Sequence, residues 1–178
     1  MTKHLFHETI GDIFDDENFP SKGITILKDA ACGGDHTLPL FCSEERSYTT
    51  RYACADLMIL KEQKVKVIIE IEESNVKPVH IFGKFLASAI SEYYIYGKEK
   101  YEMDESVLFI QVLDTSKQKN VSIRKAQWTN IEESIRAILP FEGTSIREYA
   151  IFYGDKPDFK KGEKKDNLVE FVRGALKY

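Results

Sequence analysis

What this sequence of 178 residues lacks argues against several classes of protein. Its three cysteines are odd in number and have no C-x-x-C spacing, which argues against a disulfide framework and against a structural zinc site. No apolar run approaches the length of a membrane span, and residues 1–14 contain no apolar signal core. We therefore expect a reduced, cytoplasmic protein that has no contact with a membrane.

The sequence also lacks an excess of positive charge. It has 25 Lys and Arg residues against 29 Asp and Glu residues, and its formal net charge is -4. A strongly basic nucleic-acid-binding domain is therefore not indicated, and any contact with phosphates has to come from a local basic surface. The length suits one domain over residues 1–178, with a core that buries about 70% of the unfolded surface.

The chain is organised around an apolar segment that ends in acids. Residues 65–72, Val-Lys-Val-Ile-Ile-Glu-Ile-Glu, are typical of a buried strand, in which alternate residues share a face. Glu70 and Glu72 therefore point the same way. Residues 53–60 form a second strand candidate a few residues earlier, which predicts an antiparallel hairpin. If the loop has an odd number of residues, positions whose numbers sum to 126 face each other, and Asp56 lies across from Glu70.

Three carboxylates, those of Asp56, Glu70 and Glu72, are thus expected at one edge of the sheet. Like charges a few ångströms apart raise one another's pKa values, so a cation among these acids is expected. Ligand sets made only of oxygen favour a hard ion over zinc. The acids therefore predict a site for Mg2+, for which Mn2+ can substitute.

Other segments predict the order of helices and strands. Strands joined through helices pair in parallel and the central hairpin is antiparallel, so we expect an α/β protein with a mixed central sheet and helices on both faces. The capping box Thr129-x-x-Glu132 predicts the start of the third helix. The predicted helices are 3–15, 78–96, about 129–138 and one around 168–175, and the predicted strands are 23–28, 53–60, 65–72, 106–113 and 147–153, with 38–42 as a candidate extended segment.

Asp56, a gap, Glu70-Ile71-Glu72 on the next strand and a following helix resemble the active site of the PD-(D/E)xK nuclease superfamily, which includes many restriction endonucleases. Two residues depart from the motif. Ala55 stands where the family has Pro, and Glu72 stands where it usually has Lys. Some restriction enzymes of this superfamily carry Glu at that position, and others place the lysine on the following helix. The resemblance by motif covers residues 52–96.

The resemblance implies a restriction endonuclease-like αβββαβ core and a division of roles among the site residues. Asp56, Glu70 and the backbone carbonyl of Ile71 would hold Mg2+. Glu72 would complete the site and position or deprotonate the attacking water. Lys84 is the candidate for the displaced catalytic lysine, because it lies with Lys77, His80 and Ser88 on one polar stripe of the predicted helix.

Further charged residues are candidates for the rim of the site. Arg46 and Arg51 lie in a polar stretch that leads into the Asp56 strand, and we expect them, with Lys77, to bind the DNA backbone. Additional acids for the metal site are Glu44 or Glu45 from the same stretch and Glu8 from the first helix. For each of these residues the alternative is a solvated surface side chain.

The leading functional hypothesis is a metal-dependent endonuclease that hydrolyses phosphodiester bonds of double-stranded DNA. The small size predicts a restriction endonuclease that works as a homodimer, or the cleavage subunit of a larger complex whose partner recognises the sequence. One alternative is a catalytically inactive DNA- or protein-binding module on the nuclease fold. Others are a resolvase or repair nuclease, and an unrelated α/β domain in which the acids only cap a strand.

Overall fold

The computed structural model describes residues 4–15, 19, 23–73 and 76–177. It is a mixed α/β structure in which helices flank a mixed, largely antiparallel sheet, as the sequence predicts. The described elements are, in chain order, α1 (Leu5–Ile13), β1 (Ile24–Lys28), β2 (Leu38–Phe41), β3 (Arg51–Ala55), β4 (Leu57–Lys61), β5 (Lys64–Glu72), α2 (Pro78–Ala89), β6 (Tyr93–Tyr96), β7 (Glu99–Asp114), α3 (Val121–Ile138), β8 (Ile146–Gly154), α4 (Lys156–Lys160) and α5 (Glu163–Leu176).

The sheet has an inner part and an antiparallel extension. In the inner part the strand order is β1-β4-β5-β7, with β8 paired to the C-terminal half of β7. β1/β4 and β4/β5 are antiparallel, whereas β5/β7 and β7/β8 are parallel. Parallel neighbours need a crossover, and α2 and α3 lie on these connections. The N-terminal part of β7 pairs with β6, which continues through β2 to β3.

Helices cover both faces because the central strands are apolar on both. Along β4 and β5 alternate residues enter two separate cores: Met58 and Ile68 pack on the side of α2 and α3, and Ile59 and Ile69 pack on the side of α1, α4 and α5. Such strands appear in the sequence as nearly continuous Val, Ile and Leu runs. By the same alternation Glu70 belongs to the α2 face.

The predicted strand 53–60 is divided in two at Asp56. β3 pairs with β2, whereas β4 pairs with β1 and β5, so the chain passes from one part of the sheet to the other at this residue. In the register of β4 with β5, Leu57 lies opposite Ile69. The two residue numbers sum to 126, as predicted, and this register brings Asp56 opposite Glu70. A register shift between Ile59 and Leu60 separates this pairing from the two-residue turn.

Three predicted boundaries are wrong. The helix predicted at 78–96 ends at Ala89, because Tyr93–Tyr96 forms a strand that turns at Gly97 into β7. β7 begins at residue 99 rather than 106, because its polar first half pairs with β6. The helix predicted from the capping box at Thr129 begins at residue 121, because the fully buried Trp128 holds its first turns against the sheet.

Residue 3, which was predicted to begin the first helix, lies outside the described residues. Of the helices in the described ranges, none is both long enough and apolar enough to cross a membrane.

Candidate active site

Four predicted site residues meet at the C-terminal end of β5. Asp56 occupies the break between β3 and β4, Glu70 and Glu72 lie on β5, and Lys84 lies in the middle of α2. Ile81 and Phe85 are buried and pack α2 onto the same face of the sheet as Glu70. Lys84 lies three residues after Ile81, close to one helical turn along the same side of α2, so its side chain reaches the acids of β5.

Asp56 extends the β4/β5 ladder beyond the end of β4. Its Oδ2 accepts a hydrogen bond of 2.6 Å from the backbone N–H of Ile71. In a strand the N–H and C=O of one residue point to the same side, so the carbonyl of Ile71 also faces the side of Asp56. The carboxylate of Asp56 and this carbonyl are therefore neighbouring oxygen donors at one strand end.

Lys84 joins the two acids of β5. Its Nζ lies 2.8 Å from Oε2 of Glu70 and 2.8 Å from Oε1 of Glu72. Glu70 is buried, whereas the side chains of Glu72 and Lys84 are 15% and 36% exposed. Burial favours the neutral amine, but the charges of Glu70 and Asp56 outweigh burial and raise the pKa of Lys84. Lys84 is therefore an ammonium ion.

The two inner acids hold their protons more firmly than ordinary carboxyl groups do. Burial raises the pKa of Glu70 to about 8, although the ammonium of Lys84 opposes this rise. Burial also raises the pKa of Asp56, against the effects of Lys84 and of the Ile71 N–H. The pKa values of Glu70 and Lys84 are thus both raised, but for different reasons: burial favours the neutral form of Glu70, whereas the neighbouring carboxylates favour the charged form of Lys84. The site is short of positive charge.

The three carboxylates do not converge on a single point. Among the described residues, Asp56, Glu70 and Glu72 do not form a group whose ligand atoms all lie within 4.8 Å of one another. The ammonium of Lys84 lies between Glu70 and Glu72 and occupies one oxygen of each. A divalent ion that is held by these acids therefore competes with Lys84.

His7 and Glu73, which the sequence analysis missed, lie beside Asp56. The Nδ1 of His7 is 3.0 Å from Oε1 of Glu73, and its Nε2 is 3.8 Å from Oδ2 of Asp56. Burial opposes ionisation of Glu73, but hydrogen bonds from His7 lower the pKa of this carboxyl. Glu73 also accepts hydrogen bonds from the backbone N–H groups of Phe6 and His7, at 2.9 and 3.0 Å. It thus caps α1 from outside the helix.

The close packing of α1 places His7 in this position. A Cβ at Gly11 would lie 2.1 Å from the backbone oxygen of Cys32, so no other residue fits without moving the helix. Glu8, the residue of α1 that the sequence analysis chose, is exposed, whereas His7 is buried. In the sequence, His4 and His7 are three residues apart, and a third acid follows Glu72. These features do not indicate a site by themselves, because the residues meet only when α1 packs against the sheet.

The predicted basic residues lie on the surface. Arg46 and Arg51 line an open groove of about 320 Å³ with Tyr48 and Cys54. The guanidinium of Arg51 stacks 5.5 Å from the centre of the Tyr48 ring, and Nη1 of Arg46 donates to the carbonyl of Gly97 at 3.3 Å. Because β3 runs from Arg51 to the break at Asp56, the two ends are about 17 Å apart along the strand.

Lys77 and the two extra acids take no part in the cluster of Asp56, Glu70 and Glu72. Lys77 is exposed directly before α2. Glu44 pairs with Lys100 at 2.9 Å, and Glu45 is exposed.

A larger cavity of about 530 Å³ lies between β8 and α5 and contains none of the predicted site residues. The acids lie outside this cavity, at the C-terminal end of β5.

Comparisons of this chain with protein-family models, with curated proteins and with solved structures find no match.

Proposed function

We propose that this chain is a Mg2+-dependent endonuclease that hydrolyses phosphodiester bonds of double-stranded DNA, and that it acts as a restriction endonuclease or as the cleavage subunit of one. One observation carries the proposal: Asp56, Glu70, Glu72 and Lys84 come from three elements and meet at one strand end, with Lys84 at 2.8 Å from both glutamates. Acids that meet a lysine at a strand end suit phosphoryl chemistry, which depends on positioning and charge stabilisation.

The arrangement of elements supports the same proposal. Without the strands β2, β3 and β6, the chain order is α1, three strands, α2 and a further strand, and the spatial order of these strands is β1-β4-β5-β7. The first three are antiparallel and the fourth is parallel to the third. This order agrees with the αβββαβ core that the resemblance to the PD-(D/E)xK superfamily implies, and it supports the proposal.

The donor atoms suit Mg2+. Asp56, Glu70 and the Ile71 carbonyl offer only oxygen, which hard ions prefer. The raised pKa values of Asp56 and Glu70 indicate a site in need of positive charge, which a divalent ion supplies. When bound, Mg2+ lowers the pKa of a coordinated water and polarises a phosphoryl oxygen. Mn2+ has the same preference for oxygen and would serve as a substitute.

The remaining side chains would orient water and phosphate. Glu72 is the more exposed glutamate of β5, so it can hold the attacking water and accept a proton from it. Lys84, released from the acids by the ion, would stabilise negative charge on the phosphate. Arg46, Arg51 and Lys77 would contact the DNA backbone and fix its path without reading its sequence.

Cleavage of supercoiled plasmid with Mg2+ or Mn2+ tests the proposal. We expect cleavage by the wild type that stops with EDTA and falls by about 100-fold or more in Asp56→Asn and in Glu70→Gln. Glu45→Gln removes an exposed acid from the preceding loop and should cut normally. Cleavage that is equal in all variants would refute the assignment of the site.

The alternative of a binding module without catalysis has one observation in its favour. Lys84 pairs with both Glu70 and Glu72, and this partly neutralises the acids without a metal. Under this alternative Mg2+ would not bind in calorimetric titrations, and Asp56→Asn would retain any DNA binding. Mg2+ binding by the wild type without cleavage would instead indicate that a partner subunit is required.

A further inference from the structure

A second cluster of ligand-type side chains lies at the start of α1. His4, His7 and Glu73 each present one ligand atom, and these three atoms all lie within 4.8 Å of one another. The Nδ1 of His7 is 3.0 Å from Oε1 of Glu73, and the Nδ1 of His4 is 3.6 Å from Oε2 of the same carboxylate. The cluster combines two imidazoles and one carboxylate, unlike the oxygen-only site nearby.

The three side chains lie close enough together to share one ion. Bonds of about 2.0–2.1 Å from zinc to nitrogen or oxygen place neighbouring ligands about 3.3 Å apart in a tetrahedron. Each histidine nitrogen faces a different oxygen of the Glu73 carboxylate, at 3.0 Å for His7 and at 3.6 Å for His4, so the carboxylate lies between the two rings. These separations are on the scale of a metal site, and binding of an ion would draw the three ligands around it.

We propose that His4, His7 and Glu73 form a binding site for a transition-metal ion of the zinc type, with the fourth position open to water. The set of two nitrogens and one oxygen favours such an ion over Mg2+, which prefers oxygen alone. This proposal does not depend on the nuclease activity, because none of its ligands belongs to the cluster of Asp56, Glu70 and Glu72.

The surroundings hold the ligands in place and leave a path for entry. Oε1 of Glu73 is oriented by the backbone N–H groups of Phe6 and His7, which turns Oε2 toward His4. The side chain of His7 is 11% exposed and that of His4 is 51% exposed, so an ion enters from the side of His4. The negative charge of Glu73 also offsets the positive end of the α1 dipole.

The site is connected to the neighbouring acids through one imidazole ring. With Nδ1 of His7 on the ion, its Nε2 carries the proton and faces Oδ2 of Asp56 at 3.8 Å. A ligating histidine whose second nitrogen faces a carboxylate is a common arrangement that holds the ring in one orientation. Metal loading would thus fix His7 against Asp56, which makes His7 a positioning residue for the acid cluster.

Titration of Co2+ into the full chain, followed by the visible absorption of the bound ion, tests the proposal with a readout other than activity. Excess Mg2+ is present throughout, so that oxygen-only sites are filled. We expect one equivalent of Co2+ with a tetrahedral spectrum, displaced by Zn2+. His4→Asn should weaken binding by about tenfold or more. Asn is a favourable residue at the N-cap position of His4, so this variant should fold.

The matched control is His80→Asn, which removes another exposed histidine from the first turn of a helix and should bind Co2+ as the wild type does. Failure of the wild type to bind Co2+, or equal binding by wild type and His4→Asn, would overturn the proposal. So would a Co2+ signal that Glu70→Gln removes and His4→Asn leaves intact, because the ion would then lie among the acids of β5.

Discussion

Lys84 is the residue on which the state of the proposed active site depends. Its ammonium lies 2.8 Å from a carboxyl oxygen of Glu70 and 2.8 Å from one of Glu72. A divalent ion held by the same carboxylates has to displace it. Because the side chain is about one third exposed, the ammonium is able to turn toward solvent or a bound phosphate without disturbing the core.

We expect Lys84→Met to separate metal binding from catalysis. Loss of the competing ammonium should tighten Mg2+ binding by roughly a few-fold, whereas loss of charge stabilisation should lower cleavage by about 100-fold or more. Calorimetric titration of Mg2+ and plasmid cleavage at saturating Mg2+ measure the two effects. Lys77→Met, an exposed lysine at the start of the same helix, is the control. A fall in both metal affinity and cleavage would contradict the competition.

The raised pKa of Glu70 makes the stability of the metal-free protein depend on pH. Burial raises this pKa from 4.5 to about 8, so between these pH values the folded state keeps a proton that the unfolded chain has released. The stabilisation from this proton is present at low pH and is lost as the pH rises through the folded pKa.

In the presence of EDTA, the free energy of unfolding should therefore fall between about pH 5 and about pH 8, by at most about 1.4 kcal/mol per pH unit from this group. Glu70→Gln has no proton to lose and should flatten the decrease, and Glu45→Gln should keep the slope of the wild type. Urea unfolding at several pH values measures the difference. Equal slopes in Glu70→Gln and wild type would show that Glu70 does not keep its proton in the folded state.

Among the elements, the β4/β5 hairpin matters most for the site because it brings Asp56 opposite Glu70. Its turn residues Glu62 and Gln63 have φ values of 51° and 67°, a left-handed conformation in which neither residue is favoured. Positive φ at both central residues is typical of the type I′ hairpin turn, for which Asn-Gly is the preferred sequence. The register therefore depends on strand packing and not on the turn.

Replacement of this turn by Asn-Gly, Glu62→Asn with Gln63→Gly, should raise the free energy of unfolding by about 1 kcal/mol. Cleavage should be unchanged, because the register near Asp56 is already set by the buried strands. Urea unfolding and plasmid cleavage measure the two effects. The exchanged turn, Glu62→Gln with Gln63→Glu, keeps the composition and should leave stability unchanged. A stability gain accompanied by loss of cleavage would indicate a shifted register.

On the scale of the whole molecule, the proposed enzyme has one cluster of Asp56, Glu70 and Glu72 in each chain. Under the proposed function, a single cluster would cut one strand in each binding event. The groove with Arg46 and Arg51 would then guide one stretch of DNA backbone. Cleavage of both strands would therefore require a second copy or a partner subunit.

We expect the chain at low concentration to convert supercoiled plasmid first to the open-circular form and only later to the linear form. Gel electrophoresis of a time course measures the three forms, and a concentration series separates one-chain from two-chain cleavage. A nick made by Glu70→Gln at the wild-type rate would reveal a contaminating nuclease. Direct formation of linear DNA at every concentration would show that two sites act together.

The sequence by itself determined which residues share a face of the β4/β5 hairpin, and that Lys84 lies near the acids of β5. Alternation along a strand and the polar stripe of a helix are local properties. The pattern in residues 65–72 therefore predicted the shared face of Glu70 and Glu72, and the pattern after Pro78 predicted that Lys84 lies near them. The long apolar strands likewise predicted a mixed sheet covered by helices. These features depend on patterns within a few residues, which buried elements keep wherever they pack.

Only the tertiary structure decided the features that depend on how distant segments dock. His7 and Glu73 are 66 residues apart and meet because α1 packs on the break at Asp56. The strand 93–96 forms because pairing with β7 outweighs local helix signals, and α3 starts before its predicted cap because burial of Trp128 holds the preceding turns in the helix. Contacts of this kind depend on the arrangement of whole elements, which local patterns in the sequence do not specify.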